Sequence, residues 1–408
     1  MEEKKFEKFV ENLKLDSSNH LYYSYQDLEK EKLEFLSILI EKNRKLSGIS
    51  INHCTNLNKE DLNILLNTIA KIKTIKTLEL QRNRLKYFEI KKLLEENKTL
   101  QTLNLSGNNL NPKMMKELSE GLKKDKGLEN LFLNECKLND NTLSPLFKTL
   151  SRNNLLKELH LNKNLIEENG LKELSDNLIY NHSLTHLNLN GCGINDIGAK
   201  IIAKMLHSNQ SLKILQLNVN EIREGLEDLA FSLKDNNSLT TLNLNNNLLK
   251  DSGIDALSNS LKKNDTLKTL NLSYNYDLTK NSLLPLIDAI KENSSLQSLY
   301  LSEVEIDPIC EKKLVESLKY NNTLSFISLN SISSLPKVNF LLNANSVWDH
   351  KEHSTKYDIY FLSAVKSLVL SLKRIQNQSQ IKIPKFVLFE IIKRIDKKSF
   401  FSHKYPKD

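Results

Sequence analysis

Leu156-Lys157-Glu158-Leu159-His160-Leu161-Asn162-Lys163-Asn164-Leu165-Ile166, followed by Gly170, Leu171, Leu174 and Leu178, carries two apolar periods in one short stretch. Leu159 and Leu161 are two residues apart, the strand period, so both point inward while Glu158, His160 and Asn162 point outward. Leu171, Leu174 and Leu178 recur at three and four, the helix period. The stretch predicts a short strand followed by a helix that runs back antiparallel to it. Neither element can bury its apolar side alone. Asn164, where the strand ends, is predicted to turn inward and hydrogen-bond the loop backbone.

Outward from this unit the pattern Leu-x-x-Leu-x-Leu-x-x-(Asn or Cys) recurs eleven times, beginning at Leu46, Ile75, Leu100, Leu128, Leu156, Leu184, Leu212, Leu239, Leu267, Leu296 and Leu324. The starts are 25 to 29 residues apart, most often 28. A fixed period in this range means units that stack on their neighbours to bury a shared core. The predicted fold is an α/β solenoid with its strands in one parallel sheet and its helices behind. Helices take more width than strands, so the stack is expected to curve into a horseshoe with the sheet on the concave face. The ninth position holds Asn83, Asn108, Asn164, Asn220, Asn247 and Asn275, or Cys54, Cys136 and Cys192. Those three cysteines lie strands apart and cannot pair; with Cys310 they suit a reducing compartment.

A second asparagine series stands three residues before the repeat starts: Asn43, Asn97, Asn153, Asn181, Asn209, Asn236, Asn264, Asn293 and Asn321. These are expected to stop each helix in the left-handed conformation that asparagine tolerates. Several also read as Asn-x-Ser/Thr, such as Asn209-Gln210-Ser211, but a helix cap accounts for them more simply than glycosylation does.

The domain reading is an N-terminal helical cap over 1–45, the repeat solenoid over 46–332, and a helical C-terminal cap with a basic tail over 333–408. Residues 26–42 predict an amphipathic helix covering the first unit, with one more helix in residues 1–25. Pro384–Asp396 predicts a helix with an apolar stripe of Val387, Leu388, Ile391, Ile392 and Ile395.

Ten glycines and seven prolines in 408 residues argue against long disordered linkers. The net charge is +8, of which residues 382–408 supply +5: eight basic side chains against Glu390, Asp396 and Asp408. The other 381 residues therefore carry only +3, too little for a nucleic-acid face, and no nucleic acid is expected. A membrane surface is a candidate partner only for the basic tail 382–408. Met1-Glu2-Glu3-Lys4-Lys5 lacks the apolar core of a signal peptide, and no run approaches the roughly 18–20 apolar residues of a membrane span. The expected location is the cytoplasm, with delivery into a host cell as an effector left open.

Repeats of this length, with the Leu and Asn-or-Cys pattern and a full helix, resemble the ribonuclease-inhibitor-like leucine-rich repeats. That is the repeat type of Ran GTPase-activating proteins and of the sensor regions of NOD-like receptors. The resemblance covers about residues 46–332 and implies the leucine-rich-repeat fold; a solenoid of this kind is a scaffold for many functions. The chain ends basic where the Ran-activating proteins carry an acidic tail. It contains no Gly-x-x-x-x-Gly-Lys-Ser/Thr for a nucleotide.

Positions three, five and seven of each unit face outward from the sheet, and they are mostly neutral and polar. Phe132, Ile214, Tyr300 and Phe326 break that field as exposed apolar side chains, the composition of interface anchors. Glu158, His160 and His186 form an ionisable cluster on adjacent strands; a flat sheet gives it no pocket for catalysis or a metal, so it too reads as contact surface. Asp349-His350-Lys351-Glu352-His353 is a second such cluster, after the repeats. The function read from these residues is a non-catalytic, monomeric protein-interaction scaffold, without cofactor or metal, that binds a folded protein partner through the sheet. Two alternatives stand beside it. One is a small-GTPase regulator; the other is a ubiquitin-ligase adaptor or host-directed effector using the F-box-like stretch Ile383–Ile395.

Overall fold

The computed structural model describes residues 13–25, 28, 30–54, 57–329, 338, 339, 341 and 342. They belong to two compact units, divided after Leu248.

Among the described residues, the first unit has ten strands: β1 (Lys14–Leu15), β2 (His20–Ser24), β3 (Gly48–Asn52), β4 (Thr77–Glu79), β5 (Thr102–Asn104), β6 (Asn130–Phe132), β7 (Glu158–His160), β8 (His186–Asn188), β9 (Ile214–Gln216) and β10 (Thr241–Asn243). They lie side by side in chain order, β1 antiparallel to β2 and all later neighbours parallel. Eight helices alternate with them: α1 (Lys30–Lys42), α2 (Lys59–Lys71), α3 (Ile90–Glu96), α4 (Pro112–Leu122), α5 (Asp140–Leu150), α6 (Glu168–Leu178), α7 (Asp196–Ser208) and α8 (Leu226–Leu233). The second unit runs α9 (Asp251–Leu261), β11 (Thr269–Asn271), α10 (Lys280–Glu292), β12 (Ser298–Tyr300), α11 (Pro308–Leu318) and β13 (Phe326–Ser328), with β11 to β13 parallel and in order. The fold class is the α/β leucine-rich-repeat solenoid.

Each three-residue strand buries its middle residue and leaves its two neighbours part-exposed, or exposed in the case of Phe326. Leu131, Leu159, Leu187, Leu215 and Leu242 are all 1% exposed or less. Burying one such side chain is worth about 1.5–3 kcal/mol, and the stack repeats the gain in every unit. The register has no slip: equal repeat positions face each other, Phe132 beside His160 and His186 beside Ile214.

The ninth-position asparagines form the hydrogen-bond ladder that their spacing predicts. Asn164 Nδ2 donates to the Leu133 and Leu161 carbonyls, each at 2.8 Å, while its Oδ1 accepts from Cys136 N at 3.1 Å and Leu138 N at 3.0 Å. Where cysteine replaces asparagine, the thiol makes a weaker donation, as from Cys192 to the Leu161 carbonyl at 3.3 Å. All four cysteines are buried, and none is in a disulfide. Burial pushes the Cys136 and Cys192 thiols up to about 12, so neither offers a thiolate.

The second asparagine series departs from expectation. None of the nine has a positive φ; Asn97, Asn209 and Asn293 end their helices at −80°, −78° and −69°. Their selection comes from the side-chain amide. Asn209 Nδ2 donates to Leu178 O at 2.7 Å in the preceding unit, and Oδ1 accepts from Ser211 N and Leu212 N at 3.0 and 2.8 Å. The amide is buried and occupied, so the sequon at Asn209 is closed to glycosylation in the folded chain.

Left-handed backbone falls instead at the eighth position of the units described there: Tyr25, His53, Arg82, Gly107, Glu135, Lys163, Gly191, Val219, Asn246, Tyr274 and Glu303, with Arg84, Lys137 and Gly193 adopting it again two residues further on. Gly107 has a second reason to be glycine. The Arg82 side chain crosses it to reach Glu135 at 3.2 Å, and a Cβ at 107 would meet Arg82 Cγ at 2.4 Å.

The expected helical cap over 1–45 is partly strand. α1 lies within the segment expected to be helical, but β1 and β2 occupy part of residues 13–25, where a helix was expected; residues 1–12 lie outside the described residues. Leu21 and Tyr23, 7% and 1% exposed, pair with Ile49 and Ile51 exactly one 28-residue period later. The segment is therefore a further repeat unit, with Ser18 where the others have leucine or isoleucine. Asp16 organises the turn before it, accepting from Ser18 N and His20 N at 2.9 Å each, and these bonds with the Ser18 hydroxyl hold its carboxyl down to about 2. At the other end, Asp349–His353, the stretch 383–395 and the basic tail 382–408 lie outside the described residues.

Candidate protein-interaction face

The unslipped register sets five of the sequence-chosen residues on four consecutive strands of the first unit: Phe132 on β6, Glu158 and His160 on β7, His186 on β8 and Ile214 on β9. The Phe132 and His160 rings stack, with centroids 4.3 Å apart and planes 15° from parallel. His160 Nε2 lies 3.3 Å from Glu158 Oε2, and Asn188 Nδ2 lies 3.5 Å from His160 Nδ1. Both contacts fit one tautomer: Nε2–H donates to the carboxylate and Nδ1 accepts from the amide. Burial lowers the His160 pKa from its ordinary value of 6.5, against the opposing pull of Glu158, so the ring is neutral at pH 7. His186 Nδ1 is 2.7 Å from the Thr185 hydroxyl and 4.0 Å from Glu158 Oε1. The Glu and two His thus make a polar cluster with an aromatic wall. Among the described residues, no group of three or more His, Cys, Asp or Glu is arranged to hold a metal ion.

Tyr300 on β12 and Phe326 on β13 meet in the second unit, with ring centroids 5.0 Å apart at 45°. The sequence places them on neighbouring strands, and their diagonal positions bring the rings into contact. The expectation that all four apolar anchors are exposed needs correction. Phe326 is 45% exposed, but Phe132, Ile214 and Tyr300 are half-buried. Stacking explains two of them: His160 covers one side of Phe132 and Phe326 covers one side of Tyr300.

A further cluster on the same face is not apparent unless the Ser18 unit is counted. His20 Nε2 is 2.7 Å from the Ser50 hydroxyl, which donates to Glu79 Oε2 at 2.7 Å. The His20 ring stacks on Tyr22 at 4.4 Å and lies over Gly48, where a Cβ would sit 2.3 Å from Nδ1. Serine, histidine and glutamate suggest hydrolytic chemistry, but the order is wrong for it. A nucleophilic serine needs histidine between itself and the acid; here the hydroxyl sits between the other two and is fully buried. The cluster is a hydrogen-bond relay. The signal for it was legible, since His20 and Gly48 are separated by one 28-residue period.

The Leucine Rich repeat family is matched over residues 96–118, 180–203 and 235–258, each running from a helix-end turn through a strand into the next helix. No curated protein matches the sequence. Among solved structures, an internalin from Listeria monocytogenes is similar at 18% identity, covering 86% of this chain and 89% of that one, with a TM-score of 0.46. Leiomodin-1 actin-binding site 2 is similar at 18% identity, covering 58% of this chain and 95% of that one, with a TM-score of 0.26. The fold assignment rests on the strand order and the asparagine ladders. Among the described residues, no helix is long and apolar enough to cross a membrane.

Proposed function

We propose that this chain is a non-catalytic protein-interaction scaffold that binds a folded protein partner through the polar face of its parallel sheet, acting as a monomer inside the cell. The observation that carries the reading is the face itself. In each compact unit its side chains are mostly neutral and hydrogen-bonding, interrupted in the first by the Phe132–His160 pair and in the second by the Tyr300–Phe326 pair. Interfaces concentrate binding energy in such aromatic anchors and use the polar surround to exclude water. The contact residues proposed are Phe132, Glu158, His160, His186, Ile214, Tyr300 and Phe326. The alternatives, GTPase regulation and ubiquitin-ligase recruitment, gain no specific residue among those described.

The test is affinity purification from the native cell with mass spectrometry. Wild type is compared with Phe132→Ala and with the double variant Tyr300→Ala/Phe326→Ala, after thermal melts show that all are folded. The expected result is a protein partner whose recovery falls tenfold or more in at least one variant. Undiminished recovery in both overturns the reading.

A further inference from the structure

The chain has 58 lysines and arginines, yet none stands at the third, fifth or seventh position of any described strand. The only carboxylates at those positions are Glu79 and Glu158. The strands around Glu158 thus carry no lysine or arginine on this face, the edge strand β1 alone setting Lys14 opposite Tyr22 among the described strands, and the face beside Glu158 favours a cationic partner over an acidic one. Two lysines flanking β7 in the chain are engaged elsewhere: Lys157 pairs with Glu129 at 2.9 Å and Lys163 with Glu135 at 2.9 Å.

The two carboxylates are not equivalent. Glu79 Oε2 accepts the Ser50 hydroxyl at 2.7 Å and the Asn52 amide at 3.4 Å. Glu158 has only the neutral imidazole of His160 at 3.3 Å, with His186 at 4.0 Å from its other oxygen. A carboxylate offers about four lone-pair sites, so Glu158 keeps acceptor capacity for an incoming donor. Beside it the flat Phe132–His160 stack offers the surface on which a guanidinium or a lysine stem packs.

We propose that Glu158 receives an arginine or lysine side chain of the protein partner, laid along the Phe132–His160 stack. The proposal rests on the interaction-scaffold reading and specifies the chemistry of its partner. A guanidinium fits better than an ammonium because it can donate two parallel N–H bonds to the carboxylate while its plane stacks. Acid should weaken the contact. Protonation of His160 would place a positive charge beside Glu158 that competes with the incoming cation; β6 sets the uncharged Asn130 and Phe132 on one side of the carboxylate, and β8 sets His186 on the other.

The test uses the full chain with isotope-labelled histidine and follows the ring resonances of His160 and His186 by NMR. The probes are acetyl-Arg-Arg-Arg-amide and its Gln and Glu counterparts at pH 7.5. The expected result is a saturable shift of both histidines by the arginine peptide alone, at least tenfold weaker in Glu158→Gln and little changed in Glu79→Gln. An equal response in Glu158→Gln, no response, or an equal response to the glutamate peptide overturns the proposal. Glutamine is isosteric with glutamate, and melting curves of the variants confirm folding. Partner capture from the native cell separates the two readings. Capture lost in Phe132→Ala but kept in Glu158→Gln leaves the scaffold standing and removes the cation; capture kept in every face variant removes both.

Discussion

Asparagine is used in two regions of this molecule, and the two uses differ in kind. Along the buried rows it is repeated with nearly the same bonds in most units. Asn236 is 0% exposed; its Nδ2 donates to Leu206 O at 2.7 Å and Asn209 O at 3.0 Å, and its Oδ1 accepts from Ser238 N at 3.1 Å and Leu239 N at 2.8 Å. On the sheet face, Asn188 is half-buried, accepts from Asn190 N at 3.0 Å and reaches His160 at 3.5 Å. The buried rows make the repeats interchangeable, whereas the face makes them different. Recognition can be written only where the scaffold leaves side chains free to vary.

The sharpest break in that comparison is a pair of alanine substitutions. Asn236→Ala removes a buried amide and leaves backbone donors and acceptors unpaired, each costing about 1–3 kcal/mol, so the expected loss is about 3 kcal/mol or more. Asn188→Ala, on the face, is expected to stay within about 0.5 kcal/mol. Urea denaturation measures both, and equal losses would erase the distinction between the rows.

The eighth position belongs to neither group, because it fixes the backbone and leaves the side chain to vary. Val219 sits there at φ +57° and 55% exposed, a β-branched residue in a conformation that such residues avoid. Left-handed backbone costs an ordinary residue about 1–2 kcal/mol, and asparagine less. Val219→Asn is therefore expected to stabilise the fold by about 1 kcal/mol, read as a shift of the urea midpoint. The same φ in Asn246 shows that the stack accepts asparagine there.

Much of this was legible because a repeat removes freedom. Once Leu159 and Leu161 set the strand and the period set the neighbour, the adjacency of Phe132, Glu158, His160, His186 and Ile214 followed by counting. Three features escaped for separate physical reasons. The Ser18 unit lacks the leading leucine or isoleucine that marks every other unit, so Leu21 and Tyr23 read as part of a cap. The helix-end asparagines were assigned to left-handed backbone because that preference and a bridging amide select the same residue; only the hydrogen bonds tell them apart. The half-burial of Phe132 and Tyr300 depends on how a ring on the next strand leans, which no single-residue pattern encodes.

The smallest expected effect concerns that leaning ring. His160 is buried against Phe132, and burial lowers its pKa below the ordinary 6.5 of an unfolded chain. A base with a depressed folded pKa binds fewer protons in the folded state than in the unfolded one. Its contribution to stability is therefore fully present above pH 6.5 and is lost as pH falls below it. His160→Gln keeps a hydrogen-bonding side chain on the face and removes the titration. The variant loses the stacking energy at every pH, but its stability should fall less steeply than that of the wild type between pH 6.5 and 5. Parallel acid limbs would mean that the imidazole is as freely hydrated as one on open surface, and that the Phe132–His160 stack does not shield it.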